Sequence, residues 1–153
     1  METSENKIIS MLPNLGVQES FVLVSGELFI KDCSLFGTEV ILIENDVITQ
    51  KYICCLNGFF YFKLDYEKIY TIKILKEGFE AKSIVFNTQL KGFPAKKRYY
   101  EFGVGLSSNM LVGKFDEDNI PPVAIIKYAI GSGKFEQDRY YKEKRKLNQK
   151  NVA

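Results

Sequence analysis

The sequence predicts an all-β sandwich of about seven to eight strands with a short C-terminal helix, and three observations carry that reading. Stretches rich in Tyr, Phe, Ile, Val and Thr recur along the chain, and these side chains suit a pleated, half-buried surface. Alternation is clearest in Tyr70-Thr71-Ile72-Lys73-Ile74-Leu75-Lys76, where Tyr70, Ile72 and Ile74 share one face. Turn residues separate the stretches at intervals of about 8–12 residues, the spacing an all-β sandwich produces.

Residues 1–19 are polar, broken at Pro13-Asn14-Leu15-Gly16, and read as a flexible N-terminal arm. The first strand is predicted over about 21–30, followed by a turn at Lys31-Asp32-Cys33-Ser34. Leu35-Phe36-Gly37 then forms a loop whose apolar pair is expected to fold inward. Strands at about 38–44 and 47–55 are joined by the polar hairpin connection Glu44-Asn45-Asp46. Asn57-Gly58 supplies the next turn, because both residues tolerate positive φ. Strands at about 59–64, 69–75 and 81–87 follow, with Glu77-Gly78 as the turn between the last two. Phe59-Phe60-Tyr61-Phe62 carries aromatics on both strand faces. One face is core; residues 99–130 are expected to cover the other, with a face left for a partner as the alternative.

After Thr88 the texture changes to a basic loop over 91–98, then a strand from Tyr99 to Leu106. Residues 107–121 form a polar loop with one apolar patch, Met110-Leu111-Val112. Pro121-Pro122 introduces a last strand over 123–130. From Lys134 onward Phe135, Asp138, Tyr141 and Arg145 recur at helical spacing, which predicts a charged helix and tail over 134–153. Residues 91–133 are assigned to the same domain as the strands before them.

At 153 residues the chain is of single-domain size, and 46% hydrophobic with 14% aromatic content excludes a disordered chain except at its ends. A net charge of +2, from 21 basic and 19 acidic residues, gives no reason to expect a nucleic-acid partner. No stretch reaches the ~20 apolar residues of a transmembrane helix. The N-terminal METSENKIISMLPNLG lacks the pattern of a signal peptide, which taken literally places the chain in the cytoplasm.

The absence of histidine removes Ser-His and Cys-His nucleophile pairs, an imidazole base and the usual zinc sites, so no catalysis and no cofactor are expected. Gly131-Ser132-Gly133-Lys134 fails as a phosphate loop, since the required flanking glycine and hydroxyl positions hold Tyr128 and Phe135. It reads as a turn. Cys33, Cys54 and Cys55 read as buried thiols; a disulfide from Cys33 to one of the pair stays open, because spacing does not decide it. Asp116 and Asp118, in an acidic loop, are weak candidates for gathering oxygen ligands around Ca²⁺, against the commoner solvated loop.

Lys96-Lys97-Arg98-Tyr99-Tyr100 mixes basic and aromatic residues, the texture of an anionic-ligand surface or of a guarded sheet edge. Tyr140, Tyr141 and Arg145 mark a helix face that is either solvated or a docking surface for an acidic partner. Tyr99, Tyr100 and Tyr128 are the aromatic candidates for a carbohydrate or small-ligand platform.

The run from Asn57 to Thr88 also resembles a known family. Gly58, Phe59, Phe60, Phe62 and Leu64, then Tyr70-x-Ile72-x-Ile74-x-Lys76-x-Gly78-Phe79, then Lys82-Ser83-Ile84-x-Phe86-x-Thr88, carry the likeness. Val24, Gly26 and Leu28 match its opening strand, and Val40, Leu42 and Ile43 its second. The pattern is similar to the carboxypeptidase regulatory-like domain of Bacteroidota envelope proteins, over residues 20–90. Tyr99-Tyr100-Glu101-Phe102, Pro122-Val123-Ala124-x-Ile126-x-Tyr128 and Phe135-x-x-Asp138-x-x-Tyr141 are similar to extensions of such domains. The resemblance implies a transthyretin-like β-sandwich and a non-catalytic role in the periplasm or at the outer membrane. It implies a protein partner there, such as an outer-membrane transporter or a secretion or gliding complex, against the cytoplasmic reading of the N-terminus.

Overall fold

The computed structural model describes residues 19–54, 57–108 and 120–151. Among the described residues, nine strands in two sheets and one helix make an all-β sandwich: β1 (Val22–Ile30), β2 (Glu39–Glu44), β3 (Val47–Ile53), β4 (Phe59–Leu64), β5 (Ile69–Leu75), β6 (Lys82–Asn87), β7 (Arg98–Leu106), β8 (Ala124–Ala129), β9 (Lys134–Gln137) and α1 (Arg139–Asn151).

The small sheet runs β4-β1-β7 and the large one β3-β2-β5-β6-β8-β9. Pairing is antiparallel except at β1/β7 and β6/β8, which are parallel and therefore need long connections. The inward faces follow from period-two alternation. Phe60, Phe62 and Leu64 of β4 and Tyr70, Ile72 and Ile74 of β5 are buried, while Phe59, Tyr61 and Lys63 point out. Phe62, Phe86, Leu64, Ile72, Ile74 and Val24 fill the space between the sheets. Each such side chain contributes about 1.5–3 kcal/mol by leaving water.

The connections show why particular turn residues stand where they do. Asn45 and Asp46 adopt φ of 50° and 63°, so the β2–β3 hairpin closes on two residues of positive φ, matching its right-handed twist. Gly78 (φ 83°) occupies the left-handed position of the Lys76–Phe79 turn, where Phe79 N–H donates to the Lys76 carbonyl at 3.0 Å. Gly58 serves a different purpose from the expected positive φ. A Cβ there would stand 2.5 Å from the Leu28 carbonyl oxygen, so glycine permits β1 and the β4 approach to touch. The Leu35-Phe36 pair divides: Leu35 packs on the core, while Phe36 is exposed.

Two expectations at the C-terminus are revised. Lys134–Gln137 is a strand paired with β8, not the first turn of a helix. The Gly131–Gly133 turn folds the chain back, with Gly133 N–H donating to Ala129 at 2.8 Å, and Phe135 enters the core opposite Tyr128. The helix starts only after Asp138. That carboxylate accepts the Tyr141 amide at 3.2 Å as an N-cap and meets Lys127 at 3.2 Å. Its pKa is held down, first by the Tyr141 amide and then, after some opposition from burial, by Lys127.

Candidate interaction surface

The outer face of β4-β1-β7 is where the structure gathers exposed aromatic side chains. Register places Tyr61 opposite Ser25 and Ser25 opposite Glu101, with Phe59, Glu27 and Gly103 forming the next row. Lys63, Leu23 and Tyr99 form the row on the other side. Phe29, Phe59, Tyr61 and Tyr99 are 51%, 65%, 61% and 62% exposed. Adjacent strands lie about 4.8 Å apart, so Tyr61 and Glu101 are about 10 Å from each other across the low Ser25. Phe59 and Tyr61, two residues apart on one strand, are separated by about 7 Å. Phe29 lies over Gly103, whose Cβ would stand 2.7 Å from the ring.

Among the described residues this corrects the expected cover over Phe59 and Tyr61; residues 109–119 of that cover lie outside them. Residues 98–106 do not cross β4. They lie on the far side of β1 and extend the same sheet, while β8 joins the opposite one. Among the described residues only partial neighbours reach this face. Phe21 is buried at its margin beneath Lys63 Nζ (4.2 Å to the ring centre) and Lys97 Nζ (5.2 Å).

The basic-aromatic run 96–100 does not form one surface, because β7 begins at Arg98 and successive side chains then take opposite faces. Lys96, Lys97 and Tyr99 are exposed, with Lys97 Nζ 5.6 Å from the Tyr99 ring centre. Arg98 turns inward and is 8% exposed. Its Nη1 donates to the Tyr66 hydroxyl at 3.0 Å and its Nη2 to the Pro94 carbonyl at 2.9 Å. The guanidinium lies 4.9 Å from the Tyr128 ring centre and 5.6 Å from that of Tyr66. Tyr100 also points inward, 5.5 Å from Phe86 in an edge-on contact. Burial, and secondarily the charge of Glu136, raise its pKa, which keeps the hydroxyl protonated.

Tyr128 is half-buried between Phe93 and Phe135, at 5.5 and 5.6 Å, and belongs to the Arg98 cluster, not to an open platform with Tyr99. On α1, Tyr140 is exposed, whereas Tyr141 donates its hydroxyl proton to the Pro122 carbonyl and Arg145 Nη1 reaches the Val123 carbonyl at 3.5 Å. These two side chains fasten the helix to the segment that leads into β8. A groove of about 590 Å³ beside them is lined by Ala81, Ile120, Pro121, Val123 and the helix. Asp116, Asp118, the Met110-Leu111-Val112 patch and Cys55 lie outside the described residues. Cys54 is buried at the end of β3, but Cys33 stands exposed on the β1–β2 turn, contrary to the expectation of a buried thiol.

Sequence reasoning favoured a covered second face for Phe59 and Tyr61 over one left for a partner, and it did not single out Phe29. The signal was present in the doubled aromatics of 59–62, but which sheet each later strand joins decides whether the second face is covered.

No helix among the described residues is long and apolar enough to cross a membrane. No protein-family model and no curated protein matches the sequence. Fold and surface geometry define an all-β sandwich whose three-stranded sheet carries exposed aromatic side chains among the described residues.

Proposed function

We propose that this protein is a non-catalytic binding module of the bacterial cell envelope that docks to a larger protein assembly through its three-stranded sheet. One observation carries the reading: Phe29, Phe59, Tyr61 and Tyr99 stand exposed on the same outer face. Contiguous exposed apolar surface on a soluble domain marks an interaction site, and aromatic side chains supply most of the energy in such contacts. The resemblance of residues 20–90 to the carboxypeptidase regulatory-like domain supports the envelope setting and a partner such as an outer-membrane transporter or a secretion or gliding complex. The test is affinity purification of the tagged protein from fractionated source cells. Recovery with outer-membrane proteins supports the reading; recovery alone in the cytosol ends it.

A second reading rests on the same face. Tyr61 and Tyr99 flank Ser25, Glu27 and Glu101, so aromatic rings and carboxylates meet on a shallow surface of the kind that takes a carbohydrate. A glycan array without hits removes it.

A further inference from the structure

The free edge of β7 differs from that of β3, the long edge strand of the larger sheet. In a strand, N–H and C=O of one residue point to the same edge and those of the next residue to the other. Arg98 N–H donates to the Phe21 carbonyl, so even-numbered residues of β7 face β1. Tyr99, Glu101, Gly103 and Gly105 therefore aim their backbone groups at the open edge. Among the described residues the Gly105 carbonyl meets only Lys82 Nζ, and no backbone partner reaches Tyr99, Glu101 or Gly103.

Beneath this edge the two sheets part. The large sheet continues through β8 and β9, while the small sheet stops at β7. A slot of about 180 Å³ opens there, lined by apolar side chains such as Ile84, Tyr100, Phe102 and Ile126 together with the polar Lys82 and Gln137. A cavity of about 150 Å³ lined by apolar side chains holds a benzene ring, so this slot has room for one large or two small apolar side chains. By contrast, the β3 edge carries a bulge at Leu42/Ile43 and the ion-paired Lys51, two features that deter strand pairing. β7 has regular register over its whole length and two glycines on its outer side.

We propose that β7 is a strand-addition site. Its occupant is an extended segment of a partner protein with apolar side chains at alternate positions and a carboxylate level with Lys82. The segment's backbone pairs with Tyr99, Glu101, Gly103 and Gly105, and one large or two small apolar side chains from its inward-facing alternate positions enter the slot. Lys82 exchanges its hydrogen bond to the Gly105 carbonyl for the guest carboxylate, and the exposed Lys96 and Lys97 make the opposite end of the edge positive as well. This inference rests on the docking reading above and specifies how docking occurs.

The probe is a library of synthetic eight-residue peptides with Val, Leu or Phe at alternate positions and Thr or Glu between. Binding members should slow amide hydrogen exchange at Tyr99, Glu101, Gly103 and Gly105 by about 100-fold. Glu101→Pro removes an outward N–H while leaving the β1 ladder intact. It should abolish peptide binding with little change in melting temperature, whereas Glu101→Ala retains binding. Lys82→Gln should weaken Glu-containing peptides about tenfold and leave Thr-only peptides unchanged. Absence of any binding peptide overturns the proposal, as does protection elsewhere, or binding that persists in a folded Glu101→Pro variant. Protection of the same amides on self-association, without peptide, assigns the edge to a second copy and also overturns it. Partner recovery from envelope fractions by Glu101→Pro as well as by wild type leaves docking intact and removes only strand addition.

Discussion

The tip of the Phe60 ring packs against the bare α-carbon of Gly26, its directly paired neighbour across β4 and β1. A Cβ added to Gly26 would stand 2.1 Å from Phe60 Cζ and 2.5 Å from Cε1. Glycine in mid-strand weakens a sheet by itself, and here an aromatic ring fills the place of the missing side chain. The same ring packs edge-on to Phe102 of β7 at 5.7 Å, so the pair ties all three strands of the small sheet together.

Gly26→Ala should therefore destabilise the fold by about 1–3 kcal/mol through overpacking. Phe60→Leu alone should also destabilise, but the double variant should lose less than the sum. Urea denaturation of the four proteins in this cycle measures the coupling, expected at about 0.5–3 kcal/mol. Additive losses contradict the contact.

Arg98 is a buried cation held by two hydrogen bonds and two tyrosine faces, with its Nε unpaired among the described residues. Arg98→Ala loses the charge-assisted bonds and the packing of the stem, an expected cost of about 2–3 kcal/mol. Arg98→Met keeps the stem and discards a desolvated charge, so it should cost only about 1 kcal/mol. Arg98→Lys should resemble the alanine variant more than the methionine one, because an ammonium does not reproduce the planar fork. Melting temperatures of the three variants rank them.

Asp138 gives the C-terminal helix a pH dependence of known sign. Its folded pKa is depressed, so the stabilisation it contributes is present above its ordinary carboxylate pKa near 3.8 and is lost as pH falls through the folded value. Asp138→Ala should cost about 0.5–2 kcal/mol at pH 7 by removing the cap. Asp138→Asn should keep the cap but lose the pH-dependent part. The difference in unfolding free energy between wild type and Asp138→Asn should shrink as pH drops from 6 to 2.5.

Cys33 is exposed on the β1–β2 turn, whereas Cys54 is buried. Cys33 should react with a maleimide in the native state within minutes, and Cys33→Ser should reduce rapid labelling by one thiol per chain. Cys54 should label only after unfolding. Mass spectrometry of the labelled peptides checks both statements.

Most of the sandwich was legible because strands announce themselves by period two. Tyr70, Ile72 and Ile74 share a buried face as their spacing requires, and Asn45-Asp46 makes a two-residue hairpin as its composition suggests. β9 was not legible, since Phe135, Asp138 and Tyr141 are spaced as on a helix. Pairing with β8 through Tyr128 opposite Phe135 overrides that local pattern. The inward turn of Arg98 and Tyr100 follows from the same alternation that fixed the strands, once β7 is known to start at Arg98. The exposure of Phe59 and Tyr61 was the less favoured of two readings for another reason: it depends on whether β7 lies over β4 or beside β1. That choice is made by long-range pairing, to which local sequence is blind.

The central claim is that the three-stranded sheet is the working surface. It is tested most directly by comparing tagged wild type with a Phe59→Thr/Tyr61→Thr/Tyr99→Thr variant in affinity purification from the envelope fraction, with mass spectrometry. The substituted side chains are exposed, so the variant should fold with an unchanged circular dichroism spectrum and lose the outer-membrane partners recovered by wild type. Equal recovery by a folded variant contradicts the claim and moves the working surface elsewhere on the sandwich.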